Sequence, residues 1–125
     1  MQSVIQKESY DSVKVFWLNK ELLGVNINTA VKNLTARHPE VSRVILFGSA
    51  AEDKASVSSD IDILIVVRKS KHRFINRSME FGKYFEEIGL GTDIFVYTQQ
   101  ELEKNSIPLA ETAIKKGKIL FIRKN

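Results

Sequence analysis

The chain has 125 residues, a formal net charge of +4 and no cysteine. That length suits one domain with a substantial core, and the missing cysteines exclude disulfides, thiolate metal sites and thiol nucleophiles. No apolar run approaches the roughly 20 residues a bilayer requires, Met1 to Lys20 lacks the apolar centre of a signal peptide, and a cytoplasmic setting is expected; the modest positive charge suits an anionic ligand without pointing to nucleic acid.

Val13, Phe16, Trp17, Leu22 and Leu23 fall partly at helical spacing, so residues 9–23 are expected to form a helix that Gly24 ends. This gives an N-terminal helical extension over residues 1–24, ahead of a main domain over residues 25–125. Phe16 and Trp17 are expected to pack on that domain, the other reading being a self-association or partner surface. Asn26 or Asn28 is the expected cap of a second helix to about Arg37, with Ile27, Val31 and Leu34 on one face and Pro39 as its stop.

Val44 to Phe47 reads as a short strand closed by Gly48, and Ile61 to Val67 as a strand buried on both faces, being apolar and β-branched almost throughout. Lys71 to Ile88 reads as a helix, with Phe74, Met79, Phe81, Phe85 and Ile88 among its apolar positions and Gly89 and Gly91 after it. Thr92 to Thr98 is a third strand, Gln99 to Asn105 a helical turn or two, and Ile107 to Lys116 a helix with Pro108 in its first turn and Gly117 at its stop. Lys118 to Ile122 is a last strand. Alternating helices and short strands predict an α/β (α+β) layer fold.

The chemistry concentrates at two places. Gly48-Ser49 ends the first strand, where glycine lets backbone approach a phosphate and serine adds a hydroxyl donor. Asp60 and Asp62, ten residues on, would share one face of a strand while Ile61 and Ile63 point into the core. Adjacent carboxylates repel unless a cation neutralises them, and magnesium takes one or two carboxylates plus phosphate oxygens and water. The pair therefore describes a site for a nucleoside triphosphate with Mg²⁺, against the plainer reading of a polar strand entrance. Asp93 opens the third strand with Phe95 and Tyr97 on its face. If that strand lies beside Ile61 to Val67, Asp93 reaches the pair, to ligate metal or accept a proton from an attacking hydroxyl. Ser49 has no histidine at a useful spacing, which speaks against a serine hydrolase. His38 and His72 have no metal-ligand spacing and are expected to be structural or exposed. Arg68, Lys69, Lys71 and Arg73 form a basic cluster, read as a solvated loop or as a phosphate contact.

Gly48-Ser49, Asp60-x-Asp62 and Asp93 within Thr92 to Val96 resemble the minimal nucleotidyltransferases of the DNA polymerase β-like superfamily, over about residues 27 to 122. The resemblance implies a small mixed sheet with helices packed on it. It implies two-metal transfer of a nucleoside monophosphate, AMP from ATP first among the nucleoside triphosphates, with pyrophosphate leaving. It assigns Gly48 and Ser49 to the triphosphate, and Asp60, Asp62 and Asp93 to two Mg²⁺ ions and catalysis. Small members pair with a helical HEPN-type protein, as antitoxins that adenylylate a toxic ribonuclease, so a partner protein is the expected acceptor; a homodimer is left open. One departure stands out. The family pattern Gly-Ser-x-Ala-Arg meets Glu52 here, followed by Asp53, which removes a cation and adds two negative charges; Lys54, or Arg68 and Lys69, are the expected substitutes. The alternatives are a catalytically weak nucleotide-binding module that neutralises a partner by contact, and transfer to a small molecule.

Overall fold

The computed structural model describes residues 3–70 and 74–124. Lys71 and Arg73 of the basic cluster, and His72, lie outside the described residues, with the expected start of the following helix and the side chain of Phe74.

The N-terminal helix is not formed. Ile5–Tyr10 (β1) and Val13–Leu18 (β2) make an antiparallel hairpin, with Tyr10 opposite Val13 and Asp11 at φ 53° in the turn. Val13, Val15 and Trp17 alternate with Lys14 and Phe16, and this period of two in a β-branched and aromatic run outweighs the imperfect helical spacing. Asp11 tolerates the left-handed backbone that closes so tight a turn. Phe16 and Trp17 do not pack inward: they are 54% and 37% exposed. The hairpin is joined to the body at its base, where Val4 is buried and its carbonyl accepts the Asn19 N–H at 2.7 Å.

The first helix, Lys20–Arg37 (α1), starts earlier than Asn26 or Asn28 would allow. Asn19 is the cap: its side-chain oxygen accepts the Leu22 N–H at 3.0 Å. The helix runs through Gly24, whose propensity cost of about 1 kcal/mol is outweighed by burying Leu23, Ile27, Ala30, Val31 and Leu34 on one face. It ends ahead of Pro39, as expected.

Four further strands form a mixed sheet in the order β5-β4-β3-β6. They are Val41–Phe47 (β3), Ile61–Val67 (β4), Thr92–Thr98 (β5) and Lys118–Ile122 (β6). The β4–β5 pairing is parallel and the other two are antiparallel. β3 begins three positions before the expected Val44, at Val41. Phe74–Gly82 (α2), continued by a 3-10 turn at Lys83–Phe85, connects β4 to β5; Gln99–Lys104 (α3) and Pro108–Lys116 (α4) connect β5 to β6.

β4 is covered on both sides, as its unbroken apolar run requires. Ile61, Ile63, Ile65 and Val67 pack with α1, Phe81 and Phe85, while Leu64 and Val66 pack with Ala110 and Ala113 of α4. His38 is structural: its ring lies edge-on to Phe81 at 4.8 Å, with Tyr84 Oη 3.0 Å from Nε2.

α2 is tied across β5 by Arg77, which is buried and donates to Glu101 Oε1 at 2.6 Å. Glu101 also accepts the Thr98 N–H at 2.8 Å while Thr98 caps α3 in return. Burial pushes the Glu101 carboxyl up, but the Thr98 N–H, the Arg77 guanidinium and the Thr98 hydroxyl together hold it below its usual value. A depressed carboxyl contributes stability that is present above its unfolded value, near 4.3, and lost as pH falls through the folded one. Arg77→Met should therefore cost about 1–2 kcal/mol at pH 7, discounted for the partly exposed Glu101. Denaturant melts of both proteins should show the gap closing below about pH 4.

Candidate active site

β3 delivers the chain to Gly48, which turns at φ 73° into a 3-10 turn, Gly48–Ala50. A β-carbon there would stand 2.3 Å from Asp62 Oδ2 and 3.3 Å from its Cγ. Glycine is thus required twice, by torsion and by space. Ser49 lies in this turn; its carbonyl accepts the Lys54 N–H at 2.8 Å, and its hydroxyl makes no hydrogen bond among the described residues.

Asp62 is the second residue of β4 and faces Phe47 on one side and Asp93 on the other. Register alone brings Asp62 and Asp93 together, because β4 and β5 run parallel from Ile61 opposite Thr92. Both carboxylates stand on the face that carries Leu64, Val66, Phe95 and Tyr97, while Ile61, Ile63, Ile94 and Val96 face α1. Asp60 lies just ahead of β4, beside Gly91. The structure so gathers Asp60, Asp62 and Asp93 around the Gly48 turn.

Electrostatics mark the cluster. Burial holds the Asp62 carboxyl above its usual range, and the charges of Asp93 and then Asp60 push it further the same way. Among the described residues no cation pairs with any of the three. No three acidic, imidazole or thiol side chains among the described residues are placed so that together they could hold a metal ion. Carboxylates are the protein donors that Mg²⁺ takes, one or two at a time, with water and phosphate oxygens making up the rest. Asp93 also borders a cleft of about 280 Å³ with Ser78, Met79, Gly82 and Ile94, at the outer edge of β5.

The expected substitutes for the missing arginine are not all in place. Arg68 and Lys69 follow β4, at the end opposite Asp62; six steps along the chain, five of the residues crossed lying in the strand, take Asp62 to Arg68, roughly 20 Å. Arg68 donates instead to the Pro39 carbonyl at 2.5 Å. Glu52 is exposed, and Asp53, at φ 58°, is drawn to Lys20 Nζ at 2.9 Å. Two cations not picked out by the sequence, Lys20 and Lys118, line a cleft of about 190 Å³ with Leu46, Ala50 and Asp53 on the α1 side of the turn. No sequence spacing links them to Gly48; the pairing of β6 with β3, which sets Lys118 opposite Leu46, brings one of them there.

A mixed sheet with a glycine-serine turn and three acids at one end defines a nucleotidyltransferase-type fold. The model of the family Polymerase beta, Nucleotidyltransferase matches residues 29–125, and the chain belongs to that family. Comparison with curated proteins gives no match. Among solved structures, the chain is similar to a candidate nucleotidyltransferase from Sulfolobus solfataricus (20% identity, TM-score 0.59, 82% of each chain covered). It is also similar to a chain of a toxin–antitoxin crystallised with AMP-PNP (20% identity, TM-score 0.60, 78% of this chain and 74% of that one). A chain of the toxin–antitoxin MntA-HepT gives 22% identity and a TM-score of 0.56, over 80% of this chain and 73% of that one.

Proposed function

We propose that this protein is a Mg²⁺-dependent nucleotidyltransferase that moves AMP from ATP to a hydroxyl of a helical HEPN-type partner protein. The observation that carries the reading is the meeting of Asp60, Asp62 and Asp93 beside the Gly48 turn, with no cation among the described residues paired to them. The toxin–antitoxin neighbours, one of them with AMP-PNP, support the choice of nucleotide and partner.

Asp60, Asp62 and Asp93 would hold two Mg²⁺ ions, which when bound offset the charge of the triphosphate and polarise the acceptor hydroxyl. Gly48, with no side chain, would let its backbone approach the phosphates, and the Ser49 hydroxyl, which has no hydrogen bond among the described residues, would donate to them. Asp93, at the cleft beside α2, accepts the acceptor's proton as its oxygen bonds to the α-phosphorus. The bond from the α-phosphorus to the bridging oxygen breaks, and pyrophosphate leaves. The test is incubation with α-labelled nucleoside triphosphates, Mg²⁺ and a helical HEPN-type protein as acceptor. Label should pass from ATP to that protein and be absent with EDTA. No transfer from any of the four nucleotides would overturn the reading.

A second reading is favoured by Glu52 at the arginine position and by the distance of Arg68 and Lys69 from the site. On it, the chain binds nucleotide weakly and neutralises its partner by contact. Calorimetry separates the two, because tight ATP binding that needs Mg²⁺ belongs to the first alone.

A further inference from the structure

We propose that Gly91 is a positioning residue for Asp60, fixing by its lack of a side chain where that carboxylate stands in the metal site; the inference rests on the function proposed above. A β-carbon at position 91 would stand 2.7 Å from Asp60 Oδ1 and 3.7 Å from its Cγ. Such a contact forces something to move, and the surroundings decide what.

The backbone at Gly91 is held from three directions. Its carbonyl accepts the Ile61 N–H at 2.8 Å. The next residue, Thr92, is the register partner of Ile61 at the start of the parallel ladder. Two residues earlier, Gly89 is wedged over the buried Val4, whose Cγ2 lies 2.4 Å from where a β-carbon of residue 89 would be. Asn26 secures the same bend by donating to the Ile88 carbonyl at 3.1 Å. Asp60, by contrast, is exposed, lies outside the strand and pairs with no cation among the described residues. An added methyl would therefore displace the Asp60 carboxylate and leave the bend in place.

Gly91 also has no positive φ, so alanine fits its backbone without strain. This separates it from Gly48, where torsion and contact would both object. Gly91→Ala is thus a change to the metal site alone, and by restricting the unfolded chain it leaves the fold as stable or more so.

The experiment is a Mn²⁺ titration by electron paramagnetic resonance, with ATP at fixed concentration, on four proteins: the parent, Gly91→Ala, Asp60→Asn and the double variant. Gly24→Ala, where a β-carbon meets nothing within 4 Å, serves as the control. Gly91→Ala should bind Mn²⁺ about 10- to 100-fold more weakly, the range for displaced support of a metal ligand, with an unchanged or higher melting temperature. In the Asp60→Asn background it should cost nothing further, because the carboxylate it displaces is gone. The control should bind as the parent does. Binding by Gly91→Ala equal to the parent, or effects of the two changes that add, would overturn the positioning role and leave the proposed function standing. A parent that binds no Mn²⁺ with ATP, or an Asp60→Asn variant that binds undiminished, would instead remove the functional reading and this inference with it.

Discussion

Asp62→Asn is expected to abolish nucleotidyl transfer while making the metal-free protein more stable. The loss should exceed about 100-fold, the upper end of what an outer-shell partner costs, because Asp62 stands at the centre of the cluster, between Gly48 and Asp93. The gain follows from the same position. Burial first, then the charges of Asp93 and Asp60, raise the Asp62 carboxyl in the folded protein. A raised acid binds its proton more tightly folded than unfolded, so stability falls as pH climbs from the unfolded value near 4 through the raised one. Asparagine removes that loss. In EDTA the variant should melt higher than the parent at pH 7, with the difference closing toward about pH 4. With Mg²⁺ and ATP the order should reverse, since only the parent gains binding energy. Calorimetric melts under the two conditions check both signs, and a variant that melts lower in EDTA would contradict the electrostatic account.

Gly48→Ala should fail in both respects at once. Its φ of 73° costs a non-glycine residue about 1–3 kcal/mol. The new methyl would also meet Asp62 Oδ2 at 2.3 Å, and unlike Asp60 that carboxylate is partly buried between two strands and has little room to yield. A loss of about 1–3 kcal/mol in denaturant midpoints, together with loss of Mg²⁺-dependent ATP binding by calorimetry, is the expected outcome. Intact nucleotide binding in a folded Gly48→Ala protein would show that the turn does not approach the phosphates. Set beside Gly91→Ala, the pair distinguishes a glycine needed for the backbone from one needed only for the space above it.

The elements built from strong local pattern were legible in the chain. Ile61–Val67, Thr92–Thr98 and Lys118–Ile122 are strands where the apolar runs placed them, and α4 starts at Pro108 and stops at Gly117. Helical spacing misleads at the N-terminus because Phe16, Trp17, Leu22 and Leu23 mix two periods: the first pair belongs to a strand and the second to α1, with Asn19 capping between them. Helical spacing counted across such a junction has no physical meaning.

The sequence by itself determined which acids and which turn are candidates for the proposed chemistry, since Gly48-Ser49 and Asp60-x-Asp62 stand at the ends of two apolar runs that read as strands. Tertiary structure decided their company. Asp93 meets Asp62 only because β4 and β5 run parallel in one register, and Arg68 and Lys69 stand away from the acids only because β4 separates them. Gly91 touches Asp60, and Val4 braces Gly89, through contacts between segments far apart in the chain. Local composition cannot encode such contacts, because they depend on which strands pair and on how closely two backbones pack.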